Sequence, residues 1–126
     1  MAAALTAQVF PHAGASVTYT TTGAGGLAAT ANTTPCGNGL GLLVKNGSGG
    51  SLDVFVRTSS AATVDGLAVA TPAGGTAASR KWTIGIGLDG IIPLPAGIYA
   101  DPVTGLATLD LSTATTVSVA CVAISA

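Results

Sequence analysis

Short segments with alternating apolar and polar side chains, separated by glycine-rich turns, constrain this sequence most. The clearest alternation lies in residues 51–58. Its two faces carry Leu52, Val54 and Val56 on one side and Asp53, Phe55 and Arg57 on the other. A period of two residues predicts a β-strand with one buried face. The strand-like segment Leu40–Asn46 precedes it, and the Asn46-Gly47 step between them predicts a β-hairpin.

Similar segments recur along the chain and predict further strands. They cover residues 16–22, 80–87, 106–111 and 115–125, with an Asp-Gly turn and a short apolar stretch at 63–71 and an apolar segment at 91–94. Pro93 and Pro95 confine residues 91–94 to a sheet edge or a crossing. Both faces of residues 115–125 are apolar, which predicts a strand buried on both sides. Residues 23–39 show no period and predict a loop, and no segment has a convincing helical period.

This organisation predicts an all-β fold. We expect a single small antiparallel β-sandwich or barrel-like domain, immunoglobulin-like or jelly-roll-like, over residues 16–126. Residues 1–15 are expected to form either a first strand or an extended N-terminal arm.

Charge is scarce in this chain. Only 7% of its 126 residues are charged, with 4 basic and 5 acidic side chains. A domain of this mass exposes roughly 6,000 Å², which leaves about one charge per 670 Å². Four scattered cations do not form the basic stripe of a nucleic-acid-binding protein, nor the basic face of a membrane-surface helix. The surface is therefore either covered largely by other protein or simply rich in small and threonine side chains.

Motifs with catalytic potential lack the context that their chemistry needs. Residues 85–90 match the glycine pattern of dinucleotide-binding proteins, but Pro93 and Pro95 forbid the helix that must follow. His12 is the single histidine, and it is expected to be an exposed polar residue rather than part of a triad or a zinc site. We therefore predict a protein that is not an enzyme and that uses no cofactor or metal.

The aspartates are assigned to turns. Asp65, Asp89 and Asp101 each begin an Asp-Gly or Asp-Pro step, where the carboxylate bonds its own backbone. A calcium site shared by such turns is the alternative.

Three other residue groups have two interpretations each. Spacing leaves Cys36 and Cys121 open to a disulfide or to free thiols, and we favour buried thiols. Asn32-Thr33-Thr34 and Asn46-Gly47-Ser48 match the glycosylation sequon, which matters only in a secretory setting. The aromatic residues could form a sugar-binding platform, although core packing is the default for Trp82.

Four segments carry a resemblance to a protein family. They are LGLLVKNGSGGSLDVFVRT, VDGLAVATPAGG, WTIGIGLDGIIPLPAGIYADPVTGLATLDL and the final VSVACVAIS strand. Their order of paired strands, turns and a proline-flanked segment resembles the capsid decoration, or cement, proteins of tailed bacteriophages. The resemblance covers roughly two-thirds of the chain and consists of turn and strand patterns rather than a chemical signature. It implies a β-domain on the outside of an icosahedral shell, often a trimer, with no catalytic residue.

The expected function is therefore structural. The chain is expected to bind the major capsid protein on the virion exterior, to bridge capsid subunits and to self-associate, with a trimer favoured. Neither nucleic acid nor a membrane is an expected partner. The candidate contacts are Val9 and Phe10 on the N-terminal arm and Phe55 and Arg57 on the polar face of residues 51–58. The alternatives are a tail or fibre module of a virion and a carbohydrate-binding β-sandwich module.

Overall fold

Two β-sheets pack face to face in the computed structural model, which confirms the predicted small all-β sandwich. The sheets do not close into a barrel. The structure describes residues 2–10, 16–22, 26–37, 39–58, 63, 64, 67, 68, 79–101 and 103–124. The elements are β1 Ala7–Phe10, β2 Thr20–Thr21, β3 Asn32–Pro35, β4 Leu40–Asn46, β5 Leu52–Arg57, β6 Thr63–Val64, β7 Leu67–Ala68, β8 Ser79–Ile84, β9 Asp89–Pro93, α1 Ala96–Tyr99, β10 Leu106–Leu111 and β11 Val117–Ile124.

The first sheet has the order β1-β11-β4-β9, with β2 also pairing with β11. The second sheet has the order β3-β10-β5-β8, and β6 and β7 form a separate two-stranded ladder. All pairings between these strands are antiparallel except that of β1 with β11, which is parallel. No helix in the described part of the chain is long and apolar enough to cross a bilayer.

The predicted hairpin between β4 and β5 is wrong, although both strands exist at the predicted positions. β4 pairs with β11 and β9 in the first sheet, whereas β5 pairs with β10 and β8 in the second. Residues 47–51 therefore carry the chain across the sandwich. Gly47 permits this path, because a Cβ atom there would lie 2.7 Å from the carbonyl oxygen of Thr116.

The core lies between the two sheets. Alternate residues of the central strands point into it, as the period of two predicts for Leu52, Val54 and Val56. β11 is buried on both faces, also as predicted: Val119 and Cys121 face the core, and Ala120 is buried on the other side.

The N-terminal segment closes one side of the sandwich. The Leu5 amide donates to the Thr33 carbonyl of β3 in the second sheet at 2.7 Å, and the Thr33 amide donates to the Ala3 carbonyl at 2.9 Å. Residues 7–10 then pair with β11 in the first sheet. The segment is thus a first strand that joins both sheets, rather than a free arm.

Other boundaries differ from the sequence-based expectations. β3 lies within the predicted loop 23–39, because its polar residues gain strand structure by pairing with β10 and with residues 3–5. Of residues 16–22, only Thr20 and Thr21 form a strand. Asp89-Gly90 belongs to β9 rather than to a turn, since the turn occupies residues 85–88. Residues 91–94 were predicted at an edge, and β9 is indeed the outer strand of the first sheet.

Asn46 fixes the crossing between the sheets. Its side chain is 2% exposed, and its Nδ2 donates to the carbonyls of Gly50, Ile84 and Gly85 at 2.8, 3.0 and 3.1 Å. Its Oδ1 accepts from the Ser48 amide at 3.1 Å and from the Ser48 hydroxyl at 2.6 Å. The side chain thereby holds the β4–β5 connection against the end of β8.

Asn32 has a similar role at the opposite side. Its Oδ1 accepts from the amides of Ala3 and Ala28 at 3.0 and 2.9 Å, and its Nδ2 donates to the carbonyls of Ala28 and Leu109. Both sequon asparagines are thus buried, with their amide nitrogens bonded to main-chain oxygens. A glycan on either one is incompatible with this fold.

We expect Asn46→Ala to lower the free energy of unfolding by about 2–4 kcal/mol, because it leaves buried carbonyls without donors. Ser48→Ala is the matched control, since it removes only the hydroxyl that bonds the same asparagine, and it should cost less than about 1 kcal/mol. Urea unfolding measures both. Equal effects of the two variants would contradict the role assigned to Asn46.

Candidate interaction surface

The outer face of the first sheet carries two apolar rows, which are exposed at their β9 end and buried at their β11 end. The register of β9, β4 and β11 places their outward side chains opposite one another. One row consists of Pro93, Gly41 and Val122, and the other of Ile91, Leu43 and Ala120. We call these six residues the apolar rows.

The alternation of the strands explains why these residues face outward. Leu42 and Val44 of β4 and Ile92 of β9 point into the core, so their neighbours in sequence point away from it. Ile91 is 73% exposed and Leu43 is half-buried. Neighbouring outward-pointing residues that are all apolar are unusual on the solvent-exposed face of a sheet.

A shallow groove of about 370 Å³ runs over the apolar rows. It is lined by Gly39, Leu40, Gly41, Leu43, Ile91, Pro93 and Val122. Gly41 has no side chain and leaves the floor of the groove at the level of the main chain. The groove is therefore shaped to accept apolar side chains from another protein.

A polar row borders the apolar rows at one end. It consists of Asp89, Lys45 and Ser118, one residue from each strand. The Lys45 ammonium lies 4.5 Å from the centroid of the Tyr19 ring, within cation–π distance. The surface thus has an apolar centre with charge at its border.

The predicted contact residues on the N-terminal segment lie at the far edge of this sheet. Val9, on β1, is 64% exposed, so it is available to another protein. The Phe10 main chain pairs with Ile124, and its side chain lies outside the described part of the chain.

Phe55 was predicted as an exposed contact, and the structure corrects this. It lies on the predicted face, away from the main core, but is only 2% exposed. In register it stands between Asp110 of β10 and Lys81 of β8. A fully buried ring offers no area to another molecule, so Phe55 is a packing residue.

Arg57 is bound within the domain. Its Nε donates to the Asp110 Oδ2 at 2.8 Å and its Nη2 donates to Oδ1 at 3.0 Å, which is a bidentate pair. Asp110 also accepts the Ala31 amide at 2.8 Å, and Ala31 has a φ of 65°. The pair therefore supports the loop before β3, and only one-third of the Arg57 side chain remains exposed.

The described aromatic residues do not form a common surface. Tyr99 is buried, and Trp82 packs edge-on against it at 6.2 Å between ring centroids and against the core. Tyr19 lies beneath Lys45 on another sheet. This arrangement agrees with the core role expected for Trp82 and gives no support to a sugar-binding platform.

Both cysteines are free thiols, as expected, and Cys121 is buried, whereas Cys36 is only half-buried. Burial raises the pKa of both thiols. The neighbouring Cys121 raises the pKa of Cys36 further, and a hydrogen bond with Thr34 partly offsets the effect on Cys121. Protonated thiols are poor nucleophiles and poor metal ligands.

The other candidate catalytic residues have structural roles. Residues 85–88 form a turn at the end of β8, with Gly87 at a φ of +70°, so the glycine pattern serves the chain reversal. Asp101 accepts the amides of Val103 and Thr104, as a turn aspartate does. Among the described residues no group of three or more His, Cys, Asp or Glu could hold a metal. His12 and Asp65 lie outside the described residues.

Sequence reasoning missed the apolar rows as a candidate site. The available signal was that β4, β9 and β11 all carry apolar residues on both faces. That signal predicts burial on both sides, which holds for β11, whereas the structure leaves Ile91 of β9 73% exposed.

We expect Phe55→Ala to destabilise the fold by about 3–5 kcal/mol in chemical denaturation, the typical cost of removing a buried phenyl ring. Val103→Ala, at a position that is 90% exposed, is the control and should be nearly neutral. If Phe55→Ala proved as mild as the control, the ring would be a surface residue after all.

The free energy of unfolding should fall as pH rises above about 8.5, the ordinary thiol pKa. The folded pKa of both thiols is raised, so the unfolded chain releases these protons first, and the stabilisation present below pH 8.5 is lost through the folded pKa. Replacing both cysteines by serine should reduce this loss between pH 8 and 9.5. An unchanged slope would show that the thiols do not contribute.

Comparison of the chain with protein-family models, with curated proteins and with solved structures finds no match. The functional argument therefore rests on the surface described above and on the sequence itself.

Proposed function

We propose that this chain is a non-enzymatic structural protein of a tailed-bacteriophage virion, located on the capsid exterior. It binds the major capsid protein through the apolar rows and bridges neighbouring subunits, so that the shell resists the pressure of the packed genome. The resemblance in sequence suggests the virion, and the exposed apolar sheet face supplies a means of attachment.

The observation that carries the proposal is an exposed apolar patch on β4 and β9 of a domain with very little charge. Ile91, 73% exposed, lies at the edge of this patch on the outer strand β9, beside the groove. The whole domain exposes 6549 Å² and has only 9 charged side chains to cover it. Such a surface gains free energy when another protein covers it and is only weakly protected from association by charge repulsion.

The size of the surface favours a repetitive partner. Strand spacing and rise place the apolar rows on roughly 200 Å², of which the third that belongs to β11, Ala120 and Val122, is already buried. At about 25 cal/mol per Å² the remaining two-thirds contribute roughly 3 kcal/mol, less than the minimum cost of association. One copy would bind weakly to one capsid subunit. Contacts with several subunits of a lattice, or through several linked copies, raise the affinity without new chemistry.

Val9 provides a second contact in this proposal. It is exposed at the β1 edge of the same sheet, opposite β9. Together with the apolar rows it would allow one domain to touch two capsid subunits. Arg57 and Phe55 are assigned to the stability of the domain.

Particles produced without this chain provide the test. The purified chain is mixed with them, the particles are sedimented, and the bound copies are counted per particle. We expect Leu43→Gln to weaken binding about tenfold, because a buried leucine side chain contributes about 1.5 kcal/mol. Val103→Gln should bind like the parent chain.

Three outcomes would overturn the proposal. The parent chain fails to bind the particles, Leu43→Gln binds as well as the parent, or electron microscopy of labelled chain finds it on the tail or a fibre. The last outcome would establish the alternative of another virion component.

A further inference from the structure

β9 leaves one edge of the first sheet without a partner among the described strands. The Leu94 amide donates to the Leu40 carbonyl of β4, and the Leu88 carbonyl accepts from the Asn46 amide of β4. Leu88 and Leu94 therefore direct their main-chain groups toward β4. Main-chain groups of an antiparallel strand alternate in direction from one residue to the next. Asp89, Ile91 and Pro93 therefore direct their main-chain groups away from β4, toward the open edge.

We propose that a second copy of this chain pairs with this edge, β9 against β9, antiparallel around a two-fold axis at Ile91. The Ile91 amide of each copy donates to the Ile91 carbonyl of the other copy. The Asp89 amide of each donates to the Pro93 carbonyl of the other. The first sheet then continues through both copies.

Charge and proline select this register. An axis at Asp89 would place two carboxylates directly opposite each other, which is unfavourable. An axis at Pro93 would place two residues without an amide donor at the centre of the ladder. With the axis at Ile91, each carboxylate faces a proline and two exposed isoleucines meet.

The apolar rows join across this contact. The row of Ala120, Leu43 and Ile91 in one copy meets Ile91 at the start of the same row in the other. The dimer thus doubles the width of an apolar surface that is small in one copy. The open edge of β8 is a poorer site for self-pairing, because Arg80 and Lys81 are both exposed there and would repel their counterparts.

The inference concerns the isolated protein and goes beyond shell binding. A two-fold edge gives a dimer, in contrast to the trimer that the family resemblance implies. Sedimentation equilibrium of the purified chain under reducing conditions measures the dissociation constant directly. Failure of shell binding leaves this measurement unaffected, so the two proposals are tested separately.

Two substitutions on β9 test the register. Ile91→Lys places two ammonium groups beside the axis and should raise the dissociation constant at least tenfold. Val103→Lys, at another highly exposed position, is the matched control and should leave it unchanged. Circular dichroism establishes that both variants are folded.

Pro93→Lys is the second test and should strengthen the dimer. It adds the missing amide donor and places an ammonium group opposite the Asp89 carboxylate of the other copy, so the dissociation constant should fall about tenfold. A parent chain that is monomeric up to millimolar concentration, or trimeric, would overturn the inference. An unchanged or weaker dimer in Pro93→Lys would also overturn it, even if Ile91→Lys failed to fold.

Discussion

The Asn46 side chain links two of the connections through which the chain passes between its sheets. It bonds Gly50 in the β4–β5 connection, and it bonds Ile84 and Gly85 where the chain leaves β8 toward β9. These bonds set the place of β9 beside β4. The apolar rows and the open edge both depend on that place. Without this side chain, several carbonyls would have no hydrogen-bond donor. One buried amide thus controls the geometry of the proposed interaction surface.

Local patterns predicted the strands better than their pairing. Residues 40–46, 52–57 and 106–111 were predicted as strands, and each forms a strand at the expected position. An Asn-Gly step is compatible both with a hairpin and with a crossing between sheets, because both need a tight reversal. Hydrogen bonds of Asn46 with residues nearly forty positions away favour the crossing over the hairpin, and a local sequence pattern cannot predict such bonds.

The extent to which a side chain is buried was the other property that could not be predicted from the sequence. Alternation placed Phe55 on the correct face but not in the correct environment, since the surroundings of that face come from elsewhere in the fold. Conversely, the strand pattern did not indicate that Ile91, on the outer strand β9, is 73% exposed. A residue's face follows from the strand period, whereas what covers that face follows from tertiary structure.

The two sides of the sandwich differ in how their sheet edges are covered. This difference supports β9 as the place of contact with another molecule. On one side, residues 3–5 pair with β3 and cover the edge of the second sheet, and residues 7–10 form the outer strand of the first sheet. On the other side, β9 has charge and proline at its ends but exposed isoleucine at its centre. Charge and proline at an edge oppose indiscriminate pairing along its whole length. They still permit one register, in which Asp89 of one copy lies opposite Pro93 of the other. Because the other registers are unfavourable, the exposed edge is suited to one specific contact.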